Sequence, residues 1–169
     1  MSLALALEAV MPGALYQGSL TDDTEASYDA LTWLDVRPKP LYSKVLTAAA
    51  LVVKADLKLF AAAERYNRQT RGYTYRGRKF DTDPDSVAAF STIYVLAQAT
   101  PSYSVSWKLS DGSFTPMDAN TIIATYNAIV RFTQALFTSE SVISAAVDSG
   151  SMTTQAQVTT QINSVPNVG

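Results

Sequence analysis

The chain contains no cysteine and no histidine. The first absence excludes a disulfide framework, thiolate nucleophiles and thiolate metal ligands. The second removes the commonest general base and the commonest metal ligand. A large excess of basic charge is missing too: the formal net charge is −2, whereas a free-standing nucleic-acid binder is normally basic. Long uninterrupted apolar runs are also lacking. The most apolar window, residues 45–63, is broken by Lys54, Asp56 and Lys58, which fits a soluble helix rather than a membrane span. The opening residues 1–10 are apolar but carry Glu8 and no basic flank, so they do not form a signal peptide. No glycine-rich phosphate loop, nucleophile elbow or zinc-type spacing occurs. With no reactive constellation to name, the sequence points to a protein that is not an enzyme and holds no cofactor or metal.

What is present suggests three regions. Residues 1–40 read as an extended N-terminal arm. Pro12-Gly13 is a turn signal, Leu15-Tyr16 and Leu31 to Leu34 with Trp33 are short strand candidates, and Arg37-Pro38-Lys39-Pro40 must be extended. An arm of this kind would add a strand to a partner's sheet, with Leu15, Tyr16 and Trp33 in contact. Residues 41–148 read as an α+β docking domain. Residues 149–169 carry no charge at all and read as a polar C-terminal tail, either a flexible end or a segment ordered on a partner.

The central region begins with a long helix over residues 42–69. Leu46, Ala50, Val53, Leu57 and Phe60 form its apolar stripe, spaced four, three, four, three. That spacing suits one face packed on a core; a short coiled-coil seam is the alternative. Gly72 should cap the helix in the left-handed region. Tyr73-Thr74-Tyr75 and Arg78-Lys79-Phe80 then pair around Arg76-Gly77, setting Tyr73 opposite Phe80. Asp83 is an N-cap with Pro84 at the first helical position, and Val87, Phe90, Ile93, Tyr94 and Ala97 face the core. Tyr103, Val105, Trp107 and Leu109 alternate with polar residues, the clearest strand pattern in the chain. Asp111-Gly112 turns it, Phe114 lies on the return strand, and Asp118 caps a last long helix, with a break near Ser139 and a stop at Gly150. The expected fold class is α+β. A long N-terminal helix precedes two β-hairpins that form one small antiparallel sheet, with helices on one face.

Two clusters invite chemistry. Asp81, Asp83 and Asp85 open like a calcium loop, but Ser86 stands where that loop needs glycine and Thr92 where it needs glutamate. Helix capping accounts for Asp83 and Asp85 without a metal. Six basic residues from Arg65 to Lys79 are interleaved with Tyr66, Tyr73 and Tyr75. Arginine with tyrosine can hold single-stranded nucleic acid, but basic residues near a helix C-terminus complement its dipole and hairpin arginines can pair with a neighbour's acids, so a plain solvated face or an acidic protein surface accounts for the cluster better. The candidate partner interface is therefore Tyr66, Arg71, Tyr75, Arg76, Arg78 and Lys79, together with Leu15, Tyr16 and Trp33 of the arm.

The run Gly72-Tyr73-Thr74-Tyr75-Arg76-Gly77-Arg78-Lys79-Phe80-Asp81-Thr82-Asp83 resembles a phage-encoded domain of unknown function found in tail-fibre assembly and tail- or baseplate-associated proteins. Its pattern is glycine, aromatic, any, aromatic, any, glycine, two of any type, aromatic, Asp, small, Asp. The block Trp107, Asp111, Phe114, Pro116-Met117-Asp118 resembles the same family, so the likeness spans about residues 64–148. Many members carry Asn before the second glycine, where this chain has Arg76. The resemblance implies a structural component of a bacteriophage tail, at the baseplate, the tip or the fibre attachment, acting as a protein–protein docking module. The alternative is a tail-fibre assembly chaperone not retained in the virion; a small hydrolase of wall or capsule polymers ranks behind both. The partners implied are other tail, baseplate or fibre proteins in a symmetric, multi-copy assembly, with no nucleic acid and no membrane. The location implied is the virion tail, after synthesis in the host cytoplasm.

Overall fold

The computed structural model describes residues 2–169 and is mixed α+β, with six helices and three two-stranded antiparallel ladders among those residues. No described helix is long and apolar enough to cross a membrane. The chain divides into two compact units, residues 1–57 and residues 58–169.

The first unit replaces the expected extended arm with a folded one. Helix α1 spans Leu3–Val10, capped by the Ser2 side chain, which accepts from the Leu5 amide. Strand β1 (Tyr16–Gln17) pairs with β2 (Thr32–Trp33), and α2 spans Glu25–Asp29 between them, capped by Thr24. Leu3, Ala6, Leu7, Leu20, Tyr28 and Leu31 close on Val45 and Ala49 of helix α3, which runs over Tyr42–Thr70. The reason is local. Leu3, Ala6 and Leu7 recur at three and four residues, so a short helix can cover the strands that were expected to need a partner. Tyr28 anchors the core, its hydroxyl donating to the Pro40 carbonyl at 2.6 Å and Lys39 lying 4.6 Å from its ring centre. Burial, reinforced by the charge of Asp29, raises the pKa of that phenol.

Helix α3 starts in the first unit and ends in the second. Its buried residues are Val45, Ala49, Leu57 and Ala61. The expected stripe holds at Leu57, but it is displaced by one residue at its start: Leu46 and Ala50 are exposed, and the four-residue spacing of Val45 and Ala49 takes their place.

In the second unit, β3 (Tyr73–Tyr75) pairs with β4 (Arg78–Phe80), and β5 (Ser104–Lys108) pairs with β6 (Phe114–Asp118). The two hairpins do not merge into the single sheet expected. They remain separate ladders, joined by one backbone bond from the Ser110 amide to the Lys79 carbonyl at 3.1 Å. The turn of the second hairpin, not its strand, meets the edge of β4. Helix α4 (Pro84–Ala99) and helix α5 (Ala119–Ser149) supply the core, with Phe90, Ile122, Ile129, Phe132, Leu136, Ile143 and Val147 buried. Phe90 is its aromatic hub, meeting Phe80 edge-on at 5.9 Å, Trp107 at 4.7 Å and Tyr126 at 6.3 Å.

Helix α5 is unbroken at Ser139, whose buried hydroxyl donates to the Gln161 carbonyl at 3.2 Å instead of bending its own helix. Gly150, at φ +78°, caps the helix in the left-handed region. The C-terminal residues are not a loose tail. Helix α6 (Gln155–Asn163) opens with a capping box of Thr154 and Gln157 and buries Val158 and Ile162. Beyond it, Val168 forms a parallel bridge with Thr74 of β3.

Candidate functional site

The hairpin β3–β4 is built by cross-strand pairing and a strained turn. Tyr73 lies opposite Phe80 and Tyr75 opposite Arg78, in the register the sequence predicts. Tyr73 and Phe80 are buried, and Tyr73 stacks on Phe132 at 4.9 Å. Burial raises the pKa of the Tyr73 phenol. Both turn residues have positive φ, +49° at Arg76 and +75° at Gly77, the requirement of a type I′ turn. An arginine in the left-handed region costs on the order of 1–2 kcal/mol. Its guanidinium lies 5.4 Å from the Tyr75 ring centre, a cation–π contact that offsets part of that cost.

The base of the hairpin is fixed by a residue that sequence reasoning passed over. Thr82 is buried; its hydroxyl accepts from the Gly72 amide at 3.0 Å and donates to the Gln69 carbonyl. One side chain thus satisfies two orphan backbone groups at the end of α3. Gly72 sits there at φ +90°, and a Cβ on it would come within 2.9 Å of the Phe80 carbonyl oxygen.

The basic cluster divides in two. Arg65 and Arg68 face inward. Arg65 forms an ion pair with Glu140 at 2.6 Å, bonds Gln69 at 2.7 Å and lies 4.5 Å from the ring centre of Phe137. Arg68 donates to Asn163 Oδ1 and to the carbonyls of Asn163 and Val165, the last at 2.5 Å. It clamps the C-terminal segment beside β3. There the Thr74 amide donates to the Asn167 carbonyl, the Gly169 amide to Thr74 and the Arg76 amide to the Gly169 carbonyl, at 3.3, 3.0 and 2.9 Å. Arg71, Arg76, Arg78 and Lys79 remain exposed. Tyr75 is half-buried, and Tyr66, on the last turns of α3, is 49% exposed. Of the predicted interface, the structure thus gathers Tyr75, Arg76, Arg78 and Lys79 on one hairpin, with Tyr66 and Arg71 on the segment leading into it.

Leu15, Tyr16 and Trp33 belong to the first unit. Tyr16 and Trp33 stack with ring centres 6.5 Å apart and pack on that unit's own core, while Leu15 is exposed. Their strands pair with each other, so the arm expected to be extended closes on its own core. Arg37 locks the corner, binding both Asp35 oxygens at 2.8 and 2.6 Å, while the Trp33 indole donates to the Arg37 carbonyl at 2.7 Å. The Arg37 bonds hold the Asp35 carboxyl far below the usual carboxylate range.

The second hairpin supplies a wall. Trp107 is half-buried with one edge on Phe90, and Phe114 is 67% exposed. Between β5, its turn and the start of α4 lies an open cleft of about 690 Å³, lined by Asp81, Asp85, Ser86, Trp107, Lys108 and Asp111 among others. Asp83 caps α4, its carboxyl lowered in pKa first by the Ser86 hydroxyl and then by the Ser86 and Asp85 amides. Asp111 is lowered in the same way by Ser113, and Asp118, the cap of α5, by Thr121. No grouping of three metal-ligating side chains occurs among the described residues.

An α+β module of two hairpins with α4, α5, α6 and the C-terminal part of α3 is thus the class of domain that the second unit defines. Residues 52–163 match the family described as a domain of unknown function, DUF4376, and the chain belongs to that family. The match contains both resembling blocks and takes in most of the second unit and α6. No curated protein and no solved structure matches the chain.

Proposed function

We propose that the protein is a structural, non-enzymatic component of a bacteriophage tail, a docking module of the baseplate, tip or fibre-attachment region. The resemblance of its two hairpin blocks to tail-associated phage domains supports the setting. The observation that carries the docking role is the division of the basic cluster. Arg65 and Arg68 are consumed inside the fold, while Arg71, Arg76, Arg78 and Lys79 project from the hairpin and its base with no ion pair to another described residue. Exposed arginine beside tyrosine is the composition of an interface, not of an inert surface. The carboxylates that a hydrolase would need are occupied in part: Asp83, Asp111 and Asp118 serve helix caps and a turn.

Mass spectrometry of purified particles tests the setting. Stoichiometric presence supports a virion component; detection in infected cells but not in particles assigns the assembly-chaperone role instead. Reversal of Arg76 and Arg78 to Glu tests the surface. Assembly should weaken, and the wild-type interaction should weaken with added salt. Normal assembly of the doubly reversed protein would remove the hairpin from the interface.

A further inference from the structure

We propose that the hairpin surface also pairs the protein with a second copy of itself, the cationic tip of each copy seated in the 690 Å³ cleft of the other. The inference rests on the docking role of the hairpin and names one partner for it.

Two neighbouring features carry it. The first is the tip: Arg76 and Arg78 are exposed, and Arg76 keeps a positive φ that glycine or asparagine would adopt more easily. A strained residue persists where its side chain is needed in that position. The second is the cleft. It presents Asp81, Asp85 and Asp111 against the single ammonium of Lys108, with Trp107 as an apolar wall. Asp81 and Asp85 are exposed, and neither is in an ion pair with another described residue.

The two features share a border. Arg78 and Lys79 line a smaller hollow whose other wall, Leu109 to Asp111, also lines the acidic cleft. Opposite charges set side by side on one surface are self-complementary under a two-fold axis: rotation brings the basic half of one copy onto the acidic half of its partner. The apolar part of the contact would come from Trp107, in the wall of the cleft. Arginine suits this task because its planar fork binds carboxylates in pairs.

Sedimentation velocity on the full chain tests the pairing, at low salt and at about 0.5 M salt, where charge attraction is largely screened. The wild type should dimerise, with at least tenfold weaker association in high salt. Arg76→Glu with Arg78→Glu should give monomers, as should Asp81→Lys with Asp85→Lys. Combining both pairs should restore the dimer to within tenfold of the wild type. Asp81→Lys alone, which leaves the first turn of α4 untouched, serves if the double acidic variant loses its helical circular dichroism. A monomeric wild type at millimolar concentration, or a folded four-fold variant that stays monomeric, overturns the pairing. If the wild type is monomeric but Arg76→Glu with Arg78→Glu still blocks particle assembly, self-pairing falls and docking on a different tail protein stands. If the dimer forms as described but the protein is absent from both particles and assembly intermediates, the tail reading falls and self-pairing stands.

Discussion

Arg76 carries two opposed demands. Its backbone sits at φ +49°, where a branched or long side chain is strained, yet it is an exposed charge at the turn of the hairpin. Arg76→Asn should therefore raise stability by about 0.5–1 kcal/mol, since asparagine accepts the left-handed region. The same change should weaken docking. Denaturant unfolding beside a binding or assembly assay separates the two effects, and a parallel loss of both would contradict the assignment. Thr82 makes the converse case, a residue with no surface role. Thr82→Val keeps the shape but leaves the Gly72 amide and the Gln69 carbonyl unpaired, at a cost of about 1–3 kcal/mol. Its loss should appear in urea unfolding with no change in partner binding. Trp107 falls between the two. It packs one edge on Phe90 but is only half-buried, so Trp107→Ala should cost about 2–3 kcal/mol, below the range for a fully buried tryptophan.

Among the elements, those fixed by local chemistry are the ones legible in the sequence. The register of β3 and β4 follows from Arg76-Gly77, the start of α4 from Asp83-Pro84, and the end of α5 from Gly150. The elements that escaped carried their signals in quieter form. Helix α6 has a capping box in Thr154 and Gln157, but its lack of charge made it look like a tail. Helix α1 has Ser2 as its cap and an apolar face at Leu3, Ala6 and Leu7, hidden in a run of alternating leucine and alanine. The separation of the two hairpins could not be read, because nothing local to either hairpin fixes whether their edges join. Of the candidate site, the hairpin residues were legible from their pattern. The inward turn of Arg65 and Arg68 was not, since it depends on Glu140 and Val165, far along the chain. This inward role can be tested: Arg68→Lys replaces a fork serving several oxygens with a single ammonium. The Thr74, Arg76 and Gly169 amides should then exchange with deuterium faster, while those of α5 keep their protection.

For the molecule as a whole, the missing histidine fixes the response to pH. Histidine is the side chain whose unperturbed charge change falls between about pH 5 and pH 8, so without it folding stability should be flat across that range. Asp35, Asp83, Asp111 and Asp118 all have lowered folded-state pKa values. A carboxyl of that kind stabilises the fold above its unfolded pKa of about 4, and the contribution disappears as pH falls through the lower folded value. Thermal melts should therefore hold one midpoint across the neutral range and decline only below about pH 4. A midpoint that moves between pH 6 and pH 7 would contradict this. The first unit should resist limited proteolysis in the free protein, because its helices and strands close on their own core of Leu3, Leu7, Tyr28 and Val45.

The segment of residues 167–169 beside β3 also has a mechanical meaning. Its hydrogen bonds to Thr74 and Arg76 run across the strand, so a pull on Gly169 along the strand axis loads them together, in shear. The Arg68 grip on Val165 lies next in the line of force, ahead of helix α6. Drawing the chain from that end should give a first, short release of residues 164–169, roughly 20 Å of extended backbone, before α6 and the core yield. The protein would behave under tension as a latch in series with a rigid block, with the force of the first step set by the three backbone bonds to β3 and the Arg68 grip behind them.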